Sequence, residues 1–149
     1  MYDVVAIGEL LVDFACRSTD DDGYPVLAAH PGGAPANFLA VLARYGLKTA
    51  LLAKVGNDAF GRLLRRTVER EGIDTAGVVV DDAAFTTLAF VTLDENGERD
   101  FSFARKPGAD MLLRYDELDL SLIDRTRVFH FGSVSMTDEP SRDATRRAA

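Results

Sequence analysis

The stretch Pro31-Gly-Gly-Ala-Pro-Ala-Asn37 carries the most chemical information in this 149-residue chain. Two glycines before a helical pattern let the backbone come close to a ligand and leave free N–H groups at the helix start. Asn37 falls in the first turn, where its amide both donates and accepts, as a polyol hydroxyl requires. A tight turn whose glycines serve only backbone geometry fits the same residues. Asp13 is the second element. It follows the first apolar run and the pair Leu11-Val12, at the end of a strand, where open α/β sheets bind ligands. Ionised, it accepts two hydrogen bonds and matches adjacent hydroxyls. An exposed or capping aspartate is the plainer alternative.

Other chemistries fail on the residues present. Gly56-Asn-Asp-Ala-Phe-Gly61 has P-loop glycine spacing, but Arg62 and Leu63 stand where Lys and Ser/Thr are needed. The pair Gly32-Gly33 is not G-x-G-x-x-G, and no Ser-His-Asp set with a nucleophile elbow is present. His30 and His130 are far apart, and Cys16 is the sole cysteine, so zinc spacing is missing and no internal disulfide is possible. The lone thiol fits a reducing cytoplasm. A net charge of −7 with no basic run argues against nucleic acid or an acidic membrane as partner. No apolar run approaches the roughly 18 residues of a membrane span. The start, MYDVVAIGELLVDF, lacks the basic region of a signal peptide.

The elements that position these residues alternate strand and helix. Tyr2–Gly8 reads as a buried strand. Ala36–Tyr45 reads as a helix stopped by Gly46, with Phe38, Leu42 and Tyr45 on one face. Thr49–Val55 is a second strand. Asp58 suits an N-cap for a helix with Phe60, Leu64 and Val68 inward, ended by Gly72, and its arginines form a solvated face. Ala76–Val80 and Val128–Gly132 are further strands, and Glu139–Ala149 opens another helix. This order predicts a mainly parallel sheet with helices on both faces. The last helix stops abruptly at Ala149, which reads as an interrupted fold.

One segment breaks the rhythm. Thr86–Leu93 and Arg99–Arg105 flank Asn96-Gly97, a hairpin turn signal. A two-residue turn would pair Phe90 with Phe103 and Leu88 with Arg105. Leu88, Phe90, Phe101, Phe103 and Arg105 would then share one face. A two-stranded ribbon needs a partner, and the turn-rich Phe14–His30 region supplies one for a small secondary sheet. An edge hairpin without function is the alternative.

The motifs Gly8-Glu-Leu-Leu-Val-Asp13, Gly32-Gly-Ala-Pro-Ala-Asn37, Gly56-Asn-Asp-Ala-Phe-Gly61, Asp100-Phe-Ser-Phe-Ala-Arg105 and His130-Phe-Gly-Ser133 occur in an order that resembles the ribokinase-like (PfkB-type) carbohydrate kinases, fructokinase branch. The resemblance covers essentially residues 1–149 and implies the N-terminal half of such a domain, with the C-terminal half missing. It implies a Rossmann-like α/β fold with a small β-sheet lid formed by segments at about 14–30 and 86–105. It places Asp13, Gly33 and Asn37 on sugar hydroxyls, Gly32 in the turn that shapes the site, and Phe103 and Arg105 on the lid against the sugar. It implies ATP and Mg²⁺, bound mainly by the missing half, and a homodimer clasped through the lid. The family's catalytic aspartate and anion hole match nothing here, so no catalytic residue is expected in this chain and the isolated chain is expected to be inactive. Fructose leads as substrate. A 2-keto-3-deoxygluconate kinase, ribokinase or nucleoside kinase stays open, as does a non-catalytic sugar-binding fragment.

Overall fold

The opening apolar run folds as a strand covered on both faces in the computed structural model, which describes residues 1–93 and 99–149. In chain order the elements are β1 (Tyr2–Ile7), β2 (Leu11–Thr19), β3 (Pro25–Gly32), α1 (Ala34–Arg44), β4 (Thr49–Gly56), α2 (Ala59–Arg70), β5 (Ile73–Asp74), β6 (Val78–Asp81), β7 (Leu88–Leu93), β8 (Arg99–Ala104), α3 (Leu120–Asp124), β9 (Thr126–Phe131) and α4 (Ser141–Ala148). Short 3₁₀ turns cover Ala109–Leu112, Tyr115–Glu117 and Val134–Met136. The main sheet runs β5-β4-β1-β9, with β6 also on β4, and its pairings are parallel.

Alternation along the strands divides the core in two. Val4 and Ala6 join Leu51, Ala53 and Val55 beneath α1 and α2. Val5 and Ile7 join Ala50 and Leu52 on the opposite face, closed by Leu122 of α3 and Ala144 of α4. Helices therefore cover both faces, as the strand–helix alternation requires.

The inward face of α1 is built largely from small residues. Pro35, Ala36 and Leu39 are buried. Phe38 is 39% exposed and Tyr45 81% exposed. The small residues seat the helix closely on the sheet, and its aromatics turn outward, Phe38 onto the His130 ring. Helix α2 follows expectation: Leu64 and Val68 are buried, and Asp58 caps it by accepting from the N–H groups of Phe60 and Gly61.

A second sheet runs β3-β2-β7-β8. The segment read as turn-rich is a long β2–β3 antiparallel pair, and β2 meets β7 in parallel. The register of β7 on β8 corrects the expected pairing. Ala89 faces Phe103, Val91 faces Phe101 and Leu93 faces Arg99, so residues 94–98 separate the strands rather than two turn residues. The expected turn at Asn96-Gly97 falls outside the described residues. This one-residue slip exchanges the faces of one strand relative to the other. Phe101 and Phe103 share a face with Ala89 and Val91, whereas Leu88 and Phe90 share the opposite face with Ala104 and Ser102.

Candidate functional site

Asp13 stands on β2 just past the main sheet, in register with His30 on β3 and Ala89 on β7. Ala89 in turn faces Phe103, so His30, Asp13, Ala89 and Phe103 form one row across the second sheet. Phe101 stacks on Phe103 with ring centroids 6.2 Å apart. Both rings are about half exposed. On the other face Phe14 stacks on Phe90 and meets Phe60 edge-on, which ties the sheet to the α2 side of the core. A cleft of about 870 Å³ is bordered by Asp13, Ala15, His30, Phe90, Val91 and Phe101, among others.

Gly32 explains where the Asp13 carboxylate lies. A methyl group added at Gly32 would overlap Asp13 Oδ2 and approach Asp13 Cγ and Leu11 Cδ1 to 2.7 Å. Only a residue without Cβ leaves that space. Burial raises the Asp13 carboxyl above its ordinary value, and His30 partly opposes the rise. Gly33 has φ of 113°, in the region glycine favours, and a Cβ added there would overlap the Glu9 carbonyl. Asn37 is exposed and borders a smaller cavity of about 130 Å³ with Gly32, Leu10, Arg44 and Glu71. Asp13 and Asn37 therefore border different cavities, and Gly32 touches both neighbourhoods.

Arg105 lies just beyond β8. Its Nε donates to Asp110 Oδ2 at 2.8 Å, and Nη2 lies 2.7 Å from the same oxygen in an ion pair. Asp110 is buried and its other oxygen accepts from the Thr87 hydroxyl.

Glu9 is a residue the sequence reading passed over. It lies two residues beyond the end of β1 and is 4% exposed. Its Oε1 accepts from the Ala34 N–H at 2.9 Å, at the start of α1. Its Oε2 has no partner among the described residues and lies near Gly132. Burial raises its carboxyl; its own and the Ala34 N–H oppose this, the Asp110 charge adds to it, and Arg105 counters. The available signal was an acid inside the apolar run Val4-Val-Ala-Ile-Gly-Glu-Leu-Leu-Val12. Glu9, Arg105, Asp110, Thr137 and Asp138 thus gather near the carboxyl ends of β1 and β9, where parallel sheets place their sites.

The Gly56–Gly61 loop is occupied by its own structure. Asp58 accepts from the N–H groups of Phe60, Gly61 and Thr86. Burial pushes its carboxyl up, but these hydrogen bonds outweigh burial and hold it below the ordinary value. Those amides are spent on Asp58, so the loop does not fit a nucleotide phosphate. Among the described residues no group of three or more His, Cys, Asp or Glu side chains is placed to hold a metal ion. No helix is long and apolar enough to cross a membrane among them. Cys16 is free and exposed.

Comparison with known proteins follows this geometry. The sequence pattern described as pfkB family carbohydrate kinase matches residues 1–149. Fructokinase-1 of Zea mays is 47% identical over 147 residues, covering 97% of this chain and 46% of its own length. The fructokinase structure from Xylella fastidiosa superposes with a TM-score of 0.91 at 35% identity, covering 99% of this chain and 47% of that one. A putative ribokinase II from E. coli, in complex with ATP and Mg²⁺, gives a TM-score of 0.89 at 30% identity, over 99% of this chain and 48% of that one. The chain spans about half the length of the curated relatives it matches.

Proposed function

Since this chain belongs to the pfkB family of carbohydrate kinases, we propose that it carries the sugar-binding portion of a fructokinase, which moves the γ-phosphoryl group of ATP to a fructose hydroxyl. The observation that carries the reading is the Asp13 carboxylate held over Gly32, in one row with Phe103 of the second sheet. In this reading Asp13 accepts from adjacent sugar hydroxyls, while the turn at Gly32-Gly33 and the Asn37 amide meet others. The second sheet acts as a lid, with Phe103 covering the sugar and Arg105 donating at its rim. Covering the sugar excludes water, the competing phosphoryl acceptor.

Asp13 and Asn37 border separate cavities, so binding in this reading draws them together around Gly32, a modest closure of the lid. The general base, the anion hole and most of the ATP and Mg²⁺ site are assigned to sequence outside residues 1–149. Phosphoryl transfer depends on positioning and charge stabilisation, which this segment does not supply for the phosphate. The lid also exposes Tyr24, Val26, Leu27, Phe101 and Phe103, an apolar surface suited to a homodimer. A cytoplasmic location suits the exposed free thiol.

The test is a coupled ATP assay on purified residues 1–149 and on the full-length kinase containing them. The reading predicts fructose-dependent turnover by the full-length protein and none by residues 1–149. A full-length protein that phosphorylates a different sugar in preference to fructose overturns it.

A further inference from the structure

Arg105 invites a question of substrate charge. A guanidinium binds carboxylates through paired N–H groups, so an arginine at a sugar site suits a sugar acid. Here that paired edge is already taken. Nε donates to Asp110 Oδ2 at 2.8 Å, and Nη2 lies 2.7 Å from the same oxygen in an ion pair, so Asp110 stands across that edge. Asp110 is itself fixed: its side chain is 3% exposed and its second oxygen holds the Thr87 hydroxyl. Thr87 is buried, and its carbonyl accepts from Val12, the residue before Asp13. The neighbouring Ala109 N–H bonds the Phe85 carbonyl, which anchors the turn that carries Asp110. The guanidinium is therefore held by a rigid, internal carboxylate.

The remaining edge is also guarded. Nη1 reaches the Thr137 hydroxyl at 3.4 Å and lies 3.8 Å from Asp138 Oδ2. One cation thus faces two acidic side chains, Asp110 and Asp138. A neutral hydroxyl needs a single donor, which Nη1 can turn to provide. A substrate carboxylate would have to displace Asp110 or settle beside Asp138, and either arrangement sets like charges together.

From this geometry we infer that Asp110 is a specificity-determining positioning residue, which occupies the carboxylate-binding edge of Arg105 and so selects neutral sugars over sugar acids. The inference rests on the fructokinase reading, because it needs Arg105 at the rim of the sugar site. It adds the reason that reading excludes an acid substrate of similar size.

The experiment uses the full-length kinase with fructose and with 2-keto-3-deoxygluconate, both as substrate and as inhibitor of fructose phosphorylation. In the wild type the acid's inhibition constant should exceed the fructose KM by at least about tenfold, the scale of one like-charge clash. Asp110→Asn keeps the shape and an acceptor for Thr87 but frees the guanidinium charge. It should tighten the acid about tenfold, chiefly in KM rather than kcat, while fructose is not tightened. Adding Arg105→Gln to that variant should abolish the gain, which a merely structural role for Asp110 would not predict. Asp138→Asn, at an exposed position, provides a second variant and should tighten the acid severalfold. Wild-type binding of the acid as tight as fructose overturns the inference whether or not Asp110→Asn folds. So does a folded Asp110→Asn protein with unchanged acid affinity. A wild type active on fructose with either result defeats this inference alone; a wild type inactive on fructose defeats the fructokinase reading with it.

Discussion

Gly32→Ala tests the link between the turn and the carboxylate. The added methyl would lie 2.7 Å from both Asp13 Cγ and Leu11 Cδ1, and closer still to Asp13 Oδ2. Ordinary carbon contacts begin near 3.5 Å, so the carboxylate must retreat by roughly 1 Å. Hydrogen bonds tolerate only a few tenths of an ångström about their optimum, so a displacement of about 1 Å loses the contact. A hydrogen bond to a charged group contributes about 1.5–3 kcal/mol, which corresponds to roughly a 10- to 150-fold rise in the fructose KM. Overpacking at the same point should cost about 1–3 kcal/mol of stability. The assay is steady-state kinetics on the full-length kinase, with denaturant unfolding as a check on folding. A double-mutant cycle sharpens it. If the methyl acts by moving Asp13, Gly32→Ala should add little to the KM of an Asp13→Asn background. An unchanged KM in the single variant, or full additivity in the double, refutes the reasoning.

Further outcomes follow from Asp58, Lys54 and the protonation of Asp13. Asp58→Ala removes the cap of α2 and leaves the buried Thr86 N–H without its acceptor; unfolding midpoints should show a loss of about 2–4 kcal/mol, with partial recovery in Asp58→Asn. Lys54 bonds Asp81 and Glu117 with only 6% of its side chain exposed, so Lys54→Met should destabilise by about 3 kcal/mol or more through the acids it leaves behind. The hydrogen bond from Lys54, with those from the Ala84 and Ala83 N–H groups, lowers Asp81 from 3.8 to about 2, so their contribution is present above pH 3.8 and is lost as pH falls toward 2. Circular dichroism during acid titration should show that loss in the wild type and a flatter profile in Lys54→Met. Burial raises the Asp13 carboxyl, so the fructose KM should climb with acidification at a pH above the ordinary aspartate range, and this limb should vanish in Asp13→Asn. The same burial makes ionised Asp13 a cost to folding at neutral pH, so Asp13→Asn should melt slightly higher while binding sugar worse.

Much of the architecture was legible because it rests on period and punctuation. Val4-Val-Ala-Ile7 declared a strand buried on both faces, and Asp58 with Leu64 and Val68 declared a capped helix. What was misread depended on contacts outside the local window. Spacing put Phe38, Leu42 and Tyr45 on one face of α1 without saying which way it turned; Leu42 packs against the core, whereas Phe38 and Tyr45 are exposed. The β7–β8 register turned on connection length, and one residue of slip reverses a strand. Asp13 and the Gly32-Gly33 turn could be named from the sequence, although a plain turn and an exposed aspartate fitted the same residues; Asp13 was read at the end of a strand and lies within β2. The partners of Arg105 could not: Asp110 reaches it from a 3₁₀ turn, and Thr137 and Asp138 from the segment after β9, with no spacing rule to link them. Glu9 was hidden for the opposite reason, lying in plain view within a motif valued for its aspartate.

A crystal structure of the full-length kinase with bound fructose is the most direct examination of the site. The account predicts sugar hydroxyls within about 2.6–3.0 Å of both Asp13 carboxylate oxygens, with Asn37 drawn to the same sugar and the Phe103 ring over it. Fructose bound elsewhere, with the Asp13 carboxylate facing solvent, would contradict it.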